Sequence, residues 1–170
     1  MKIFISGGCK NGKSHYAQYL AKAQWAAQQT ARQTGSLYYI ATMKSVDTED
    51  DDRIARHRRE REGWGFTTIE QPVDIEKILD KRDCGHSFLL DSLTALLANE
   101  MFLPDGRVNE QAAQKIKRGL LKITNSIKNM VIVSDYIYSD ALLYDPLTEK
   151  YRNNPVRADT NEDGKQNERD

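Results

Sequence analysis

The chain has 170 residues, of which 39% are hydrophobic and 29% charged, and its 25 basic residues balance 25 acidic ones. This length suits one ordinary domain with a real core, and a neutral net charge gives no reason to expect nucleic acid or an anionic membrane as the main partner. Two cysteines in unrelated contexts argue against a disulfide framework, and neither a leader nor a membrane-spanning stretch is recognisable. We therefore expect a cytoplasmic protein without a membrane span.

Hydrophobic periodicity predicts strands that alternate with helices along the chain. A β-favouring run at 2–6 precedes a glycine-rich loop and an amphipathic helix with apolar residues at 16, 20, 23 and 27. Further strands are expected at 37–41, 66–70, 88–91 and 130–134, and helices in the second half of 47–62 and at 73–79, 93–101 and 112–127. This alternation predicts an α/β domain with a mostly parallel β-sheet flanked by helices.

The glycine-rich loop carries a phosphate-binding motif. Residues 7–14 read GGCKNGKS, which satisfies the P-loop pattern of two glycines separated by four residues and followed by Lys and Ser. Backbone N–H groups of such a loop wrap phosphates, and the following helix adds the positive end of its dipole. Lys13 is expected to reach the β- and γ-phosphate oxygens, and Ser14 to offer its hydroxyl to Mg²⁺. The predicted triphosphate site comprises Gly7, Gly8, Cys9, Lys10, Asn11, Gly12, Lys13 and Ser14.

An acidic residue, Asp91, closes the short apolar strand at 88–91. Enzymes with a P-loop commonly place a carboxylate at such a strand end to hold Mg²⁺ through water. The alternative is that Asp91 caps the helix that starts near Ser92, because aspartate is favoured at helix amino-termini. Under the first interpretation, Ser14 and Asp91 are the two side chains that hold Mg²⁺.

A histidine stands among five arginines in the charged segment before the third strand. Arg53, His57 and Arg61 are spaced four apart, so a helix places them on one face. Taken alone, this pattern is typical of a solvated helix whose charges pair with nearby acidic residues. Beside a P-loop it also suits a nucleotide, since arginines bind phosphate oxygens and a histidine can act as a nucleophile toward phosphorus. The other two histidines, His15 and His86, have no obvious catalytic neighbour and are interpreted as structural or surface residues.

The ordered motifs resemble one family, the bifunctional adenosylcobinamide kinase/adenosylcobinamide-phosphate guanylyltransferases of cobalamin biosynthesis. The resemblance covers residues 2–152. It rests on the segments 5–14, 39–42, 53–58, 68–70, 90–94 and 133–135, with Asn99 between the last two. It implies the P-loop NTPase fold and places His57 where the family has the histidine that carries GMP.

The resemblance implies a two-step enzyme. ATP or GTP first phosphorylates the aminopropanol hydroxyl of adenosylcobinamide. GTP then transfers GMP to His57 and on to the new phosphate, giving adenosylcobinamide-GDP, with Mg²⁺ as cofactor. By the same resemblance the guanine nucleotide site is lined by Ala41, Thr42, Met43, Arg58, Arg59, Glu60, Arg61, Glu70 and Asp91.

The carboxy-terminal part departs from the family pattern. Family members continue past the segment that matches 151–152 with a further helix and strand, whereas residues 153–170 are almost wholly polar. We expect a kinase/guanylyltransferase domain over 1–152, a disordered tail over 153–170, and missing carboxy-terminal elements. The family often forms trimers, which implies a homo-oligomer. Asp135 and Tyr136 also replace the family's Asn-Glu pair.

Two other functions remain open on the sequence. One is a P-loop kinase of another small-molecule hydroxyl acceptor. The other is a truncated GTP-binding protein without catalysis, if the missing elements removed it.

Overall fold

The computed structural model describes residues 1–8, 11–31, 35–45, 47–81 and 85–135, together with residues 146 and 148. In chain order its elements are β1 (Lys2–Gly7), α1 (Lys13–Thr30), β2 (Leu37–Ala41), α2 (Thr48–Glu60), β3 (Phe66–Glu70), a 3₁₀ turn (Ile75–Lys77) leading into α3 (Ile78–Lys81), β4 (Ser87–Asp91), α4 (Leu93–Met101), α5 (Ala112–Ser126) and β5 (Asn129–Asp135). Each predicted strand and helix is present, and the α/β prediction is confirmed. The predicted tail, its boundary at residue 152 and the missing carboxy-terminal elements lie outside the described residues.

All five strands form one parallel sheet in the order β1-β5-β4-β2-β3. The three central strands are buried on both faces, which explains why they read as nearly continuous apolar runs. Within the described residues β1 and β3 are the two edge strands; β1 alternates between more and less exposed positions, and β3 is exposed at most of its positions. Because the strands are parallel, their carboxyl ends share one edge of the sheet, where ligands of open α/β sheets bind.

Helices cover both faces of this sheet. Alternate residues of β2 and β4, such as Ile40 and Leu90, pack with α4 and α5, while Tyr39 and Leu89 face the other way and pack with α1. Full burial of each large apolar side chain stabilises the fold by about 1.5–3 kcal/mol. Of the helices that the structure describes, none has the length and apolar character that crossing a bilayer requires.

The charged helix α2 begins earlier than predicted. The sequence favoured a helix only in the second half of 47–62, but the structure shows helix from Thr48 onward. The Asp47 side chain accepts a hydrogen bond from the N–H of Asp50 at 2.9 Å, and acidic residues fill the first turn while basic ones fill the last. Capping and charge placement of this kind stabilise a helix that has little apolar surface to bury.

A lysine of α5 joins two acidic residues on the α4 and α5 face. Lys115 contacts Asp74, and its Nζ lies 2.7 Å from a carboxylate oxygen of Glu100, whose side chain is only 6% exposed. Hydrogen bonds from Lys115 and Lys77 lower the pKa of Asp74. The stabilisation from Asp74 is therefore complete above the carboxyl's unfolded pKa and is lost as pH falls through its lowered pKa in the folded state.

Replacing this lysine is expected to destabilise the fold. Lys115→Met keeps the length of the side chain but leaves Glu100 buried without its cation, at a cost of about 1–3 kcal/mol. Urea unfolding at neutral pH measures the change. The matched control is Lys122→Met, an exposed position of the same helix, which is expected to change stability by less than about 0.5 kcal/mol. Equal effects of the two substitutions would contradict the assigned role of Lys115.

Candidate active site

The P-loop connects the carboxyl end of β1 to the start of α1. Gly12 has φ 81°, in the left-handed region that favours glycine, and it immediately precedes the first residue of α1. A Cβ on Gly7 would lie 2.3 Å from the Asn11 side-chain nitrogen, so a larger residue would displace the Asn11 side chain. The Asn11 side-chain oxygen accepts from the N–H of Lys13 at 3.1 Å. The predicted members Cys9 and Lys10 lie outside the described residues.

The lysine of this loop is held in place. Lys13 donates to the carbonyl oxygen of Gly8 at 3.0 Å and lies 2.5 Å from a carboxylate oxygen of Asp135. Asp135 ends β5, the strand next to β1, and its register partner is Gly7. The sequence identified Asp135 only as a departure from a family pattern. Its proximity to Lys13 depends on β5 lying beside β1, which the sequence does not reveal.

Asp91 ends β4, one strand further from the P-loop. The capping alternative is excluded because Ser92 is the cap of α4, its hydroxyl accepting from the N–H of Ala95 at 3.2 Å. The Asp91 carboxylate instead accepts a hydrogen bond from the Tyr39 hydroxyl at 2.8 Å. Its metal role stays a prediction.

Tyr39 was missed by the sequence reasoning. Burial, followed by the charge of Asp91, raises the pKa of Tyr39 well above its usual value, while Arg61 opposes the shift. The phenol therefore stays protonated and remains a donor to Asp91. The available signal was a tyrosine within a buried strand, since a buried hydroxyl needs a partner.

Arg61 joins the arginine-rich segment to this carboxylate. Its guanidinium lies 3.7 Å from the centre of the Tyr39 ring, and the residue is only 8% exposed. Cation–π contacts of this kind gain strength when desolvated. Arg61 thus acts on Asp91 through Tyr39, in addition to its predicted place in the nucleotide site.

Two further residues that were predicted to line the nucleotide site are in contact at the carboxyl end of β3. Arg58, near the end of α2, forms an ion pair with Glu70, the last residue of β3. Both side chains are more than half exposed. The pair fixes the end of α2 above the carboxyl end of β3, while Arg59 and Glu60 are exposed on the same turn.

His57 lies one turn before Arg61 on α2. Its Nδ1 is buried, has no hydrogen-bond partner of good geometry, and lies 3.3 Å from a carboxylate oxygen of Glu60. The side chain as a whole is 30% exposed.

The turn after α2 packs on the P-loop helix. The Trp64 ring meets the His15 ring edge to face at 5.2 Å, and the Lys22 ammonium lies 5.3 Å from the centre of the Trp64 ring. His15, expected to be a structural or surface residue, is exposed and packs on Trp64. His86, interpreted in the same way, accepts a hydrogen bond at Nδ1 from the N–H of Ser36 at 2.9 Å. A surface cavity of about 470 Å³ beside this turn is lined by Arg58, Arg61, Glu62, Gly63, Gly65, Phe66 and Thr68.

The segment after β2 is fixed by side-chain hydrogen bonds. The Thr42 hydroxyl accepts from the N–H of Ser92 and donates to its carbonyl oxygen, both at 2.7 Å. The Asn99 amide donates to the carbonyl of Thr42 at 2.7 Å and to that of Pro72 at 3.1 Å. The predicted residues Ala41, Thr42 and Met43 therefore lie at the same sheet edge as Asp91.

Loss of the Asn99 amide is expected to loosen this segment. Asn99→Ala removes two part-buried hydrogen bonds of the amide and is expected to destabilise the protein by about 1 kcal/mol. Hydrogen exchange should quicken at residues 42–45 and stay unchanged in β5. Asn125→Ala, at an exposed position on α5, is the control. Unchanged exchange at 42–45 in the Asn99 variant would refute the assignment.

The donor set at this edge fits Mg²⁺. Carboxylate and hydroxyl oxygens suit this cation, which keeps waters and uses one or two carboxylates together with substrate phosphates. The described residues contain no group of three or more His, Cys, Asp and Glu side chains able to hold a metal by themselves. A site of Ser14, Asp91 and nucleotide phosphates requires no such cluster.

Comparison with known proteins decides the family. Residues 3–161 match the model of the cobinamide kinase / cobinamide phosphate guanyltransferase family. The chain belongs to this family. The suspected resemblance is thereby confirmed, and the chain is one of a family of transferases of cobalamin biosynthesis.

The other comparisons add less. A sequence comparison with curated proteins found no match. Among solved structures, a KaiC-like protein from the hyperthermophilic archaeon Pyrococcus horikoshii OT3 is similar with a TM-score of 0.41 and 12% identity, over 79% of this chain and 61% of that chain.

Proposed function

We propose that the chain phosphorylates adenosylcobinamide with ATP or GTP and then transfers GMP from GTP to the product through His57. The observation that carries this proposal is the family match of a chain with a P-loop, together with the contacts of Arg61 with Tyr39 and of Tyr39 with Asp91 that link the arginine-rich helix to the sheet. These contacts place the end of the helix at the carboxyl ends of the strands, where the triphosphate would bind.

In the first step a hydroxyl of adenosylcobinamide attacks the γ-phosphorus. The bond to the β-γ bridging oxygen breaks, and a nucleoside diphosphate leaves. Lys13 and the loop N–H groups stabilise the charge on the phosphates. Ser14 and Asp91 would hold Mg²⁺, which supplies further neutralisation of that charge when bound.

In the second step a nitrogen of His57 attacks the α-phosphorus of GTP, and pyrophosphate leaves. We assign the attack to Nε2, since Nδ1 is buried beside Glu60. With the proton on Nδ1, which lies 3.3 Å from a carboxylate oxygen of Glu60, the lone pair of Nε2 is free for the phosphorus. A phosphate oxygen of adenosylcobinamide phosphate then attacks the phosphoramidate, which releases His57 and forms adenosylcobinamide-GDP.

One incubation tests both steps. The protein is mixed with adenosylcobinamide, GTP and Mg²⁺, and products are separated and identified by mass. We expect both adenosylcobinamide phosphate and adenosylcobinamide-GDP. Phosphoryl transfer only to another hydroxyl compound, supplied in a parallel incubation in place of adenosylcobinamide, would support the other-kinase alternative. Nucleotide binding without either product would support the non-catalytic one. Repeating the incubation with ATP as the phosphoryl donor identifies which triphosphate serves the kinase step.

A further inference from the structure

We propose that Asp135 makes triphosphate binding by this P-loop dependent on a divalent cation. The proposal rests on the nucleotide-binding part of the proposed function. It assigns a role to a carboxylate that neither of the two transfer steps uses.

The sheet topology places Asp135 closer to the P-loop than Asp91. Asp135 ends β5, which pairs directly with β1, and its register partner is Gly7. Asp91 ends β4, which β5 separates from β1. The carboxylate beside the P-loop is therefore Asp135, while Asp91 approaches it from one strand away.

The carboxylate is held by residues of two helices. One oxygen lies 2.5 Å from the Lys13 ammonium of α1, and the other accepts from the Thr94 hydroxyl of α4 at 2.8 Å. The backbone N–H of Asp135 donates to the same hydroxyl at 3.2 Å. These contacts fix the negative charge at the carboxyl end of β5, where it faces the loop.

The ion pair with Asp135 reduces the ability of Lys13 to bind a phosphate. An ammonium has three N–H donors, of which Gly8 and Asp135 engage two. The side chain of Lys13 is only 10% exposed and that of Asp135 35%, so their charges are partly shielded from solvent. Lys13 can thus offer a phosphate one donor and little net charge unless Asp135 is displaced or its charge is offset.

A triphosphate entering this loop meets the fixed carboxylate as a like charge. Charges a few ångströms apart interact strongly near a protein surface. The repulsion is offset when a divalent cation accompanies the nucleotide, because that cation cancels two charges of the phosphates. Removing the Asp135 charge should therefore strengthen binding of the free nucleotide much more than binding of its Mg²⁺ complex.

The test measures binding rather than turnover. A fluorescent GTP analogue that resists cleavage at both the α-β and the β-γ bridge is titrated in Mg²⁺ and in EDTA, and the ratio of the two dissociation constants is compared between variants. Asp135→Asn retains an oxygen that can accept from Thr94 but removes the charge. We expect it to lower the ratio of Kd in EDTA to Kd in Mg²⁺ about tenfold, which is ~1.4 kcal/mol. Asp135→Ala, which also removes the charge, is expected to lower the ratio similarly.

The matched control is Asp105→Asn, the same change in another ion-paired aspartate. Asp105 pairs with Arg107 in the turn beyond the far end of α4, and its substitution is expected to leave the ratio unchanged. Wild-type protein that binds the analogue, with a ratio that neither Asp135 variant changes, would overturn this inference alone. Wild-type protein that binds no nucleotide in either buffer would overturn the proposed function together with it.

Discussion

Replacing His57 with asparagine is expected to abolish guanylyl transfer and to spare the kinase step. Asparagine has no nitrogen that can form the phosphoramidate, so transfer of GMP should fall by at least about 10³-fold, as is common when a covalent nucleophile is removed. Phosphorylation of adenosylcobinamide should change by less than about threefold, since His57 does not take part in that step. The measurement is acid-labile label on the protein after incubation with GTP labelled at the α-phosphorus.

His86→Asn is the matched control for this experiment. His86 immediately precedes β4 and accepts from the N–H of Ser36, so it lies at the opposite edge of the sheet from the P-loop. Its variant should acquire the same amount of label as the wild type. Label that survives in the His57 variant would eliminate His57 as the GMP carrier.

Replacing Lys13 with alanine is expected to disable both steps at once. The P-loop would lose the cation that meets the β- and γ-phosphates, and each rate should fall by about 10²–10³-fold. Calorimetry should show weaker triphosphate binding, and the combined incubation should yield neither product. Loss of both activities in the Lys13 variant, compared with loss of guanylyl transfer alone in the His57 variant, would show that Lys13 serves both steps and His57 only the second.

Lys117→Ala is the control for the lysine substitution, because Lys117 is exposed on α5. It should leave both rates unchanged. Normal guanylyl transfer by the Lys13 variant would mean that GTP is held elsewhere during the second step, and it would separate the two steps into two nucleotide sites.

The strands and helices were predictable from the sequence because each carries its own local pattern. β2 and β3 were predicted with their observed bounds, and α4 likewise, since apolar runs between polar turns define them. The first half of α2 was not predicted as helix, because a run of acidic residues is also typical of a loop. The Asp47 cap and the helix dipole stabilise that half, and neither contributes to hydrophobic periodicity.

Contacts between residues of the site were harder to predict from the sequence than the strands and helices. The P-loop is a continuous motif, so Lys13 and Ser14 could be named from spacing alone. Asp91 could be singled out as a strand-end acid, but its Tyr39 donor lies on another strand and became visible only in the sheet. The contact of Asp135 with Lys13 required the strand order, which no local pattern encodes. The catalytic role of His57 and the metal roles of Ser14 and Asp91 stay predictions.

The position of β5 has a consequence for how the chain acquires its fold. Among the described residues β5 is the only sheet partner of β1, and it is the last of the five strands in the chain. Until residues 129–135 have been synthesised, no hydrogen-bonded strand connects β1 to the β4-β2-β3 unit. β1, which leads into the P-loop, is thus synthesised first but pairs with its neighbouring strand last. Because this pairing closes a loop of more than a hundred residues, it is expected to be the slow step of folding.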